Sequence, residues 1–594
     1  MTEYLFPRSK TSEAVAMSSE PEGEPTIHIS NYTNNGGNRQ FVFIRLSGEN
    51  ESRTDLDRRK LKGYLTGRKW LGLLFLNAAV LGVSNGYDVS NHANLQIPIY
   101  QAFGHIELLP WISPSYSVCN VATIPLARKL TRFYDLKLLG LVSLILIAGG
   151  AAVAGAAPNI ESVIVGRAIT AVGSSIVYQC ALNFTVLFSP PHKLAFGQAM
   201  LGASFAVGLI TGPLIGSYGS GSSSIPNLSY GFYFIIPLCA MAFNSMASSL
   251  PRYHNLSSQS PLAQLKEVDW MGNTLHMSTF LLFAAGCTSS GPIWNWSSAP
   301  SILTWTLFSL FLVAYTVQQY SSFGTKPALR IFLCWLLENR TVTCVAVCTA
   351  CAAMAYGVTQ YYLPMYFAFA HNFGPFEVAA RMLPFICTFI VLIFLSAGLL
   401  RVIRFYMPLY LVGGAFIIVG GALLHGIEPE TSEGAVMAYT ALVGVDTGTG
   451  LIFQTGIAVC SSFLLPSQRL DQAAVHNISH LGGVAVALAL AGVIYRNVGV
   501  ELLREAMSGM DYTDGDIRVL LARAASQILA HDDPALHDEV VSAVAEAISR
   551  CFIILLVTGA LCSVSACFLR WEALKTNKPT LEKETEGRPI LGEK

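Results

Sequence analysis

The sequence predicts an all-α polytopic membrane protein, and three observations carry that prediction. Of 594 residues, 52% are hydrophobic and only 12% charged, whereas soluble chains carry about 25% charged residues. Fourteen apolar segments follow one another, each close to the ~20 residues that a spanning helix needs. Among the short loops between those segments, lysine and arginine alternate, present on one face and absent from the other.

The chain opens on residues 1–67, rich in Ser, Glu, Pro, Asn and Gly with little hydrophobic periodicity. This is the composition of a disordered tail, and it lacks the apolar core of a secretory signal, so the first apolar segment is expected to direct insertion itself. The segments then fall near 70–90, 108–127, 138–157, 162–184, 195–218, 230–249, 270–289, 301–320, 342–364, 379–400, 406–425, 436–460, 473–495 and 549–570. They divide into six spans over 68–249, two linking spans over 250–340, and six more over 341–570, before a tail at 571–594. The longest insertion among the spans is 497–547, where Ile517, Leu520, Leu521, Ala524 and Ile528 share one helical stripe. A surface helix is expected there, packed on the protein, resting on the membrane or capping an outer vestibule.

The loops fix the orientation. Arg58, Arg59, Lys60, Lys62, Arg68 and Lys69 precede the first span, and Arg128, Lys129, Arg132, Lys137, Lys193, Arg252, Lys266, Lys326, Arg330, Arg401, Arg404 and Arg469 fall on the same face. The short loops near 91–107, 158–161, 219–229, 290–300 and 426–435 contain neither Lys nor Arg. By the positive-inside rule both termini are cytoplasmic. Asn227-Leu-Ser and Asn295-Trp-Ser then lie on outer loops as glycan acceptors.

Equal numbers of basic and acidic residues, 37 each, argue against a nucleic-acid partner. Of the thirteen cysteines, Cys344, Cys348 and Cys351 share a helical face, a spacing open to a metal but better suited to close packing of small side chains. His476 and His480 stand one turn apart, which suits a metal ligand pair, polar packing or a proton-linked role. The remaining histidines are scattered singly, so no enzyme constellation forms and no cofactor is implied.

A charge in the bilayer core costs about 2.5–3.5 kcal/mol on insertion scales, so each one is a functional candidate. Asp88 lies toward the outer end of the first span, Arg167 inside the fourth, Asp446 well inside the twelfth, and Arg381 at the start of the tenth. Asp88 is a candidate proton carrier, or a wetted interfacial acid. Arg167 holds its charge permanently, so it serves to bind an anion, stabilise a carboxylate or fix a salt bridge. Asp446 sits among Gly444, Gly448 and Gly450, with Gln454 two turns on, which suits a cavity wall. Gln360, Tyr361 and Tyr362 fit either a stacking wall for a flat substrate or an interfacial aromatic belt.

The most specific stretch is Gly208-Leu-Ile-Thr-Gly212-Pro213-Leu-Ile-Gly216 in the fifth span. Glycines four apart let a neighbouring backbone approach, and Pro213 removes a backbone donor and is expected to bend the helix. The stretch resembles the fifth-helix signature of antiporters of the major facilitator superfamily. Further segments are similar to its fourteen-helix drug:proton antiporters, and most of all to the fungal toxin-efflux pumps: Ala154 to Asn159 with Val165-Gly166-Arg167-Ala168, Val268-Asp269-Trp270-Met271-Gly272, Trp294-Asn295-Trp296, Tyr361 to Phe367, Gly448 to Gln454, His480-Leu481-Gly482-Gly483 and Arg570-Trp571-Glu572. The likeness runs from about 70 to 575. It departs at Ala127 to Lys137, where the acid and glycines of the family's loop between the second and third helices are replaced, and at Ala171, which stands for a glycine.

The resemblance implies a major facilitator fold, two six-helix bundles joined by two linking helices around a central cavity. It implies proton-driven export of a hydrophobic small molecule such as a drug or toxic metabolite, by a monomer in the plasma membrane or, alternatively, the vacuolar membrane. Asp88 and Arg167 would couple protons, Gly208, Gly212, Pro213 and Gly216 would pack the moving helix, and Gln360, Tyr361, Tyr362, Arg381, Asp446 and Gln454 would line the cavity. An importer of a siderophore-like chelate and a non-transporting sensor are the alternatives.

Overall fold

The computed structural model describes 27–32 and 41–46 of an amino-terminal unit, Met1–Gly67, and most of 80–573 of a second unit, Arg68–Lys594. The main stretches outside the described residues within that range are near 91–107, 221–230, 251–267, 326–333 and 509–533, where only isolated positions are described.

In the amino-terminal unit, β1 (Ile27–Tyr32) pairs antiparallel with β2 (Phe41–Leu46), Ile27 opposite Leu46 and Tyr32 opposite Phe41. The two strands fall within residues 1–67, the stretch whose composition suggests a disordered tail. Both strands are rich in β-branched and aromatic residues, the types that suit a pleated sheet.

The second unit is helical. Its described elements are α1 (80–88), α2 (Ile112–Phe133), α3 (Leu136–Gly155), α4 (Ile160–Phe188), α5 (Leu194–Ser220), α6 (Ile235–Ser249), α7 (Trp270–Ser289) and α8 (Ala299–Ser321). There follow α9 (Arg340–Ala370), α10 (Pro375–Ile403), α11 (Met407–His425), α12 (Glu433–Ala441), α13 (Val445–Ile452), α14 (Thr455–Ser461), α15 (Arg469–Ala506), α16 (Pro534–Cys551) and α17 (Ile553–Cys567). Among the described residues 11 helical stretches are long and apolar enough to cross a membrane. The helices α2 and α7 are of spanning length too, at 22 and 20 residues, but more polar. The protein is a nearly all-helical membrane protein, as its composition predicts.

Helix ends follow local chemistry. The Asp135 carboxylate accepts from the amides of Lys137 and Leu138 and so caps α3, and Asn339 caps α9 through the Thr341 amide, each satisfying backbone donors left open by the first turn. Asp269 caps α7 through the Gly272 amide and also receives the Gln318 and Gln319 amides of α8, at 3.1 and 3.2 Å. The Val268 to Gly272 stretch therefore ties the two linking helices together.

The twelfth apolar segment is three helices, α12 to α14, and not one. Gly444 stands at the first break, with φ −121° and ψ −136°, where a side chain would strike the Tyr439 carbonyl. Conversely, the expected loop 497–547 is shorter than the sequence suggests, because α15 runs on to Ala506 and α16 begins at Pro534. Ile517 and Leu521 are buried, and Gly499 of α15 faces the Leu521 side chain, which makes the stripe a packed surface and not a membrane-resting one at these positions. Leu520, Ala524 and Ile528 lie outside the described residues.

Helices α2, α3, α4 and α6 pack on one another, as do α9, α10, α11, α13, α15 and α17. Between these groups α5 packs against α10, and α15 against α2 and α4. Helix α8 presents Ile302, Leu303, Leu310, Val313 and Val317 outward, the surface expected of a helix that faces lipid.

Candidate functional site

A cavity of about 140 Å³ opens between the two helix groups. Asn85 of α1, Tyr116 and Asn120 of α2, Tyr178 of α4 and Phe205 of α5 line one side. Tyr356, Gln360 and Tyr361 of α9, Met382 of α10 and His480 of α15 line the other. Its surface is mainly carbon, interrupted by single amides and hydroxyls, which is the usual make-up of a small-molecule site.

Directly behind Tyr116 lies the pair the sequence singled out. Arg167 Nη1 donates to Asp88 Oδ1 at 2.5 Å, and both residues are buried. The guanidinium lies over the Tyr116 ring, 4.5 Å from its centroid, and Tyr116 also stands beside the Asp88 carboxyl. One side chain thus belongs to the cavity wall and to the ion pair together. Asp88 is not a wetted interfacial acid.

The pair is positioned by a close helix crossing. Gly82 and Gly86 of α1 face α5, and a Cβ on Gly86 would come within 2.9 Å of the Gly208 Cα. A Cβ on Gly208 would in turn meet the Tyr87 amide nitrogen at 2.8 Å. The fifth-span signature therefore has α1 as its partner, two residues before Asp88. The matching Gly82-Val-Ser-Asn-Gly86 repeat was legible in the sequence and was missed there. Gly212 is buried. Helix α5 continues through Pro213 and Gly216, whose burial and contacts lie outside the described residues.

The remaining candidates divide. Gln360 and Tyr361 line the cavity. Tyr362 points away from it, packing on Tyr495 at 5.9 Å, because successive residues on a helix diverge by about 100°. Arg381 is also outside: it pairs with Glu433 at 2.8 Å and lies 3.7 Å over the Phe373 ring. Asp446 is wholly buried beside α9, within electrostatic reach of Tyr356, but is absent from the wall. Gln454 packs against Gly202 of α5 and Tyr178 of α4, below the cavity. These four residues, expected from the sequence to line a cavity, are not among the residues that line this one. Asn295 is exposed, while Asn227 lies outside the described residues.

His480 reaches the cavity, with its ring 4.1 Å from Phe453 and 6.2 Å from His476. No cluster able to hold a metal ion occurs among the described residues. Cys348 donates to the Cys562 carbonyl at 3.6 Å, so the cysteine stripe packs α9 against α17.

Sequence reasoning also missed a polar bridge on the face that carries the basic loops. Asp471, in the first turn of α15, receives Arg128 and Arg132 of α2, each at 2.9 Å. Arg128 donates as well to the Arg330 and Ile331 carbonyls. Above it, Asn477 of α15 donates to Gln179 of α4 at 3.1 Å. These contacts join the two helix groups between the cavity and the basic face. Arg128 and Asp471 are 343 residues apart in sequence and Gln179 and Asn477 are 298 apart, so no local pattern announces them.

Two helix groups that enclose a central cavity, bridged on one face and holding a buried ion pair beside the cavity, define a membrane transporter of small molecules. The Major Facilitator Superfamily profile matches residues 78–489, and the chain belongs to that superfamily. It is 27% identical over 508 residues to the "Efflux pump patC" of Aspergillus clavatus, covering 85% of this chain and 91% of that one. It is 25% identical over 490 residues to the "Efflux pump alnA" of Emericella nidulans, covering 81% and 87%. Among solved structures, a bacterial homologue of the human lysosomal transporter Spinster, inward-facing and unoccupied, matches with a TM-score of 0.53 at 14% identity, covering 85% of this chain and 99% of that one. The sequence expectation of a major facilitator transporter resembling fungal efflux pumps is met.

Proposed function

We propose that this protein exports a hydrophobic small organic molecule from the cell in exchange for protons, as a monomer. The observation that carries the reading is the Asp88–Arg167 pair, buried with Tyr116 shared between it and the cavity. A proton arriving at Asp88 cancels its charge and weakens its hold on Arg167. The guanidinium and the Tyr116 ring are then free to move relative to α1, and with them the cavity wall. Protons drive transport only if the two conformations differ in proton and substrate affinity, and an ion pair that touches the wall gives that difference a physical route. The close α1–α5 crossing carries Asp88 with any movement of α5. Both helix groups and the whole cavity belong to one chain, so a single copy suffices. Direction is supported by the relatives named efflux pumps.

The test is uptake of a labelled hydrophobic toxin into inside-out vesicles, with and without an acid interior. Accumulation that needs the gradient and falls to background in Asp88→Asn is the expected result. Gradient-dependent uptake that survives in Asp88→Asn removes Asp88 from coupling, and accumulation only in right-side-out vesicles makes the protein an importer.

A further inference from the structure

The described wall of the cavity contains no Asp, Glu, Lys or Arg. Asp88 and Arg167 behind it neutralise each other, and Arg381 is already paired with Glu433 outside it. Along the described wall, a cation meets no facing carboxylate, and an anion meets no facing guanidinium or ammonium. A charge stripped of water and left uncompensated is strongly disfavoured there.

The wall is nonetheless far from inert. Asn120 Oδ1, Gln360 Oε1, the Tyr356 hydroxyl and His480 Nδ1 are buried and have no hydrogen-bond partner within the protein. Buried polar atoms are nearly always satisfied, so four such atoms around one void mark where a ligand's own polar groups sit. The two open amide oxygens can only accept and the Tyr356 phenol can donate or accept, which calls for hydroxyl donors on the ligand together with an oxygen that the phenol can reach. Asn120 belongs to one helix group, and Tyr356, Gln360 and His480 to the other, so one molecule bridges both. Tyr178, Phe205, Tyr356 and Tyr361 supply flat apolar faces, which suit a ring.

We infer that the substrate is an uncharged, oxygenated ring compound, held by Asn120 from one side and by Tyr356, Gln360 and His480 from the other. This rests on the cavity being the transport site. Selectivity against charged analogues follows from the missing counter-charges, and selectivity against plain hydrocarbons from the four open polar atoms.

The test uses the purified full-length protein in lipid nanodiscs and three coumarins sharing one ring: a neutral hydroxymethyl coumarin, a coumarin carboxylate and a trimethylammoniomethyl coumarin. The neutral compound is expected to bind saturably, with both charged ones at least about tenfold weaker, since tenfold corresponds to a difference of only about 1.4 kcal/mol. Asn120→Leu and Gln360→Leu are each expected to weaken the neutral compound about tenfold, the loss of one hydrogen bond to a buried group, with unchanged melting temperature. Equal or tighter binding of either charged compound overturns the inference, as does a neutral compound that does not saturate or that neither variant weakens. The vesicle assay reads direction separately, so neutral-selective binding without export would count against the export reading alone.

Discussion

Two buried carboxyl groups in this protein differ in what surrounds them, and the difference assigns them different work. Asp88 balances Arg167 at 2.5 Å and shares Tyr116 with the cavity. Removing one partner of a buried ion pair costs about 3–5 kcal/mol because the other charge is left uncompensated. Asp446 has neither oxygen in a hydrogen bond and does not reach the wall. An amide of the same shape fits there without breaking a described contact. Asp446→Asn is therefore expected to keep substrate affinity within about twofold, whereas Gln360→Leu, on the wall, reduces it about tenfold. Equilibrium binding of the neutral coumarin to both variants decides this, and a large loss in Asp446→Asn would return that residue to the site. The sequence could flag both acids, since any intramembrane charge is conspicuous against so apolar a chain. It could not rank them, because rank depends on whether an arginine 79 residues away in the chain stands opposite.

At the scale of the element, the decisive contact is the crossing of α1 and α5. Alanine is a better helix former than glycine by about 1 kcal/mol, so Gly86→Ala or Gly208→Ala has an intrinsic gain. Against it stands a methyl group forced on backbone: Gly208 Cα and the Leu209 amide at 2.9 and 3.0 Å for Gly86. Overpacking a tight interface typically costs about 1–3 kcal/mol, and backbone yields less readily than a flexible side chain, so the steric cost wins. Both variants are expected to melt lower and to lose most transport. Gly149 of α3 and Gly398 of α10 have nothing within 4 Å of an added Cβ, so Gly149→Ala and Gly398→Ala are expected to be neutral or slightly stabilising. Thermal melting of the four variants in one detergent checks the contrast. The fifth-span signature was readable because glycine spacing records close approach directly. Its partner helix needed the fold, although Gly82 and Gly86 repeat the same spacing. The break at Gly444 went unseen for a related reason: hydropathy reports how apolar a stretch is, and an interrupted helix is as apolar as a continuous one.

For the whole molecule, the bridge from Arg128 and Arg132 to Asp471 marks the face on which the two helix groups are held together. Its acid sits on the second group, opposite in placement to the acid that the resembled family carries between its second and third helices, where this chain has Thr131 and Arg132. Asp471 and the two arginines form a single electrostatic arrangement that only the fold brings together. Because the bridge joins groups that must separate on this face for the cavity to open toward it, its loss biases the equilibrium toward the other conformation. A differential of about 1.4 kcal/mol suffices for a tenfold change in their ratio. Asp471→Asn is therefore expected to raise, about tenfold, the rate at which Asn120→Cys is alkylated from the basic-loop face of sealed inside-out vesicles, followed by mass spectrometry of the peptide carrying residue 120. Arg128→Asp combined with Asp471→Arg re-forms one opposite-charge pair across the same gap and is expected to bring the rate part of the way back. Equal labelling in the Asp471→Asn background and in its parent would mean that the bridge is carried along by the conformational change and does not help to set it.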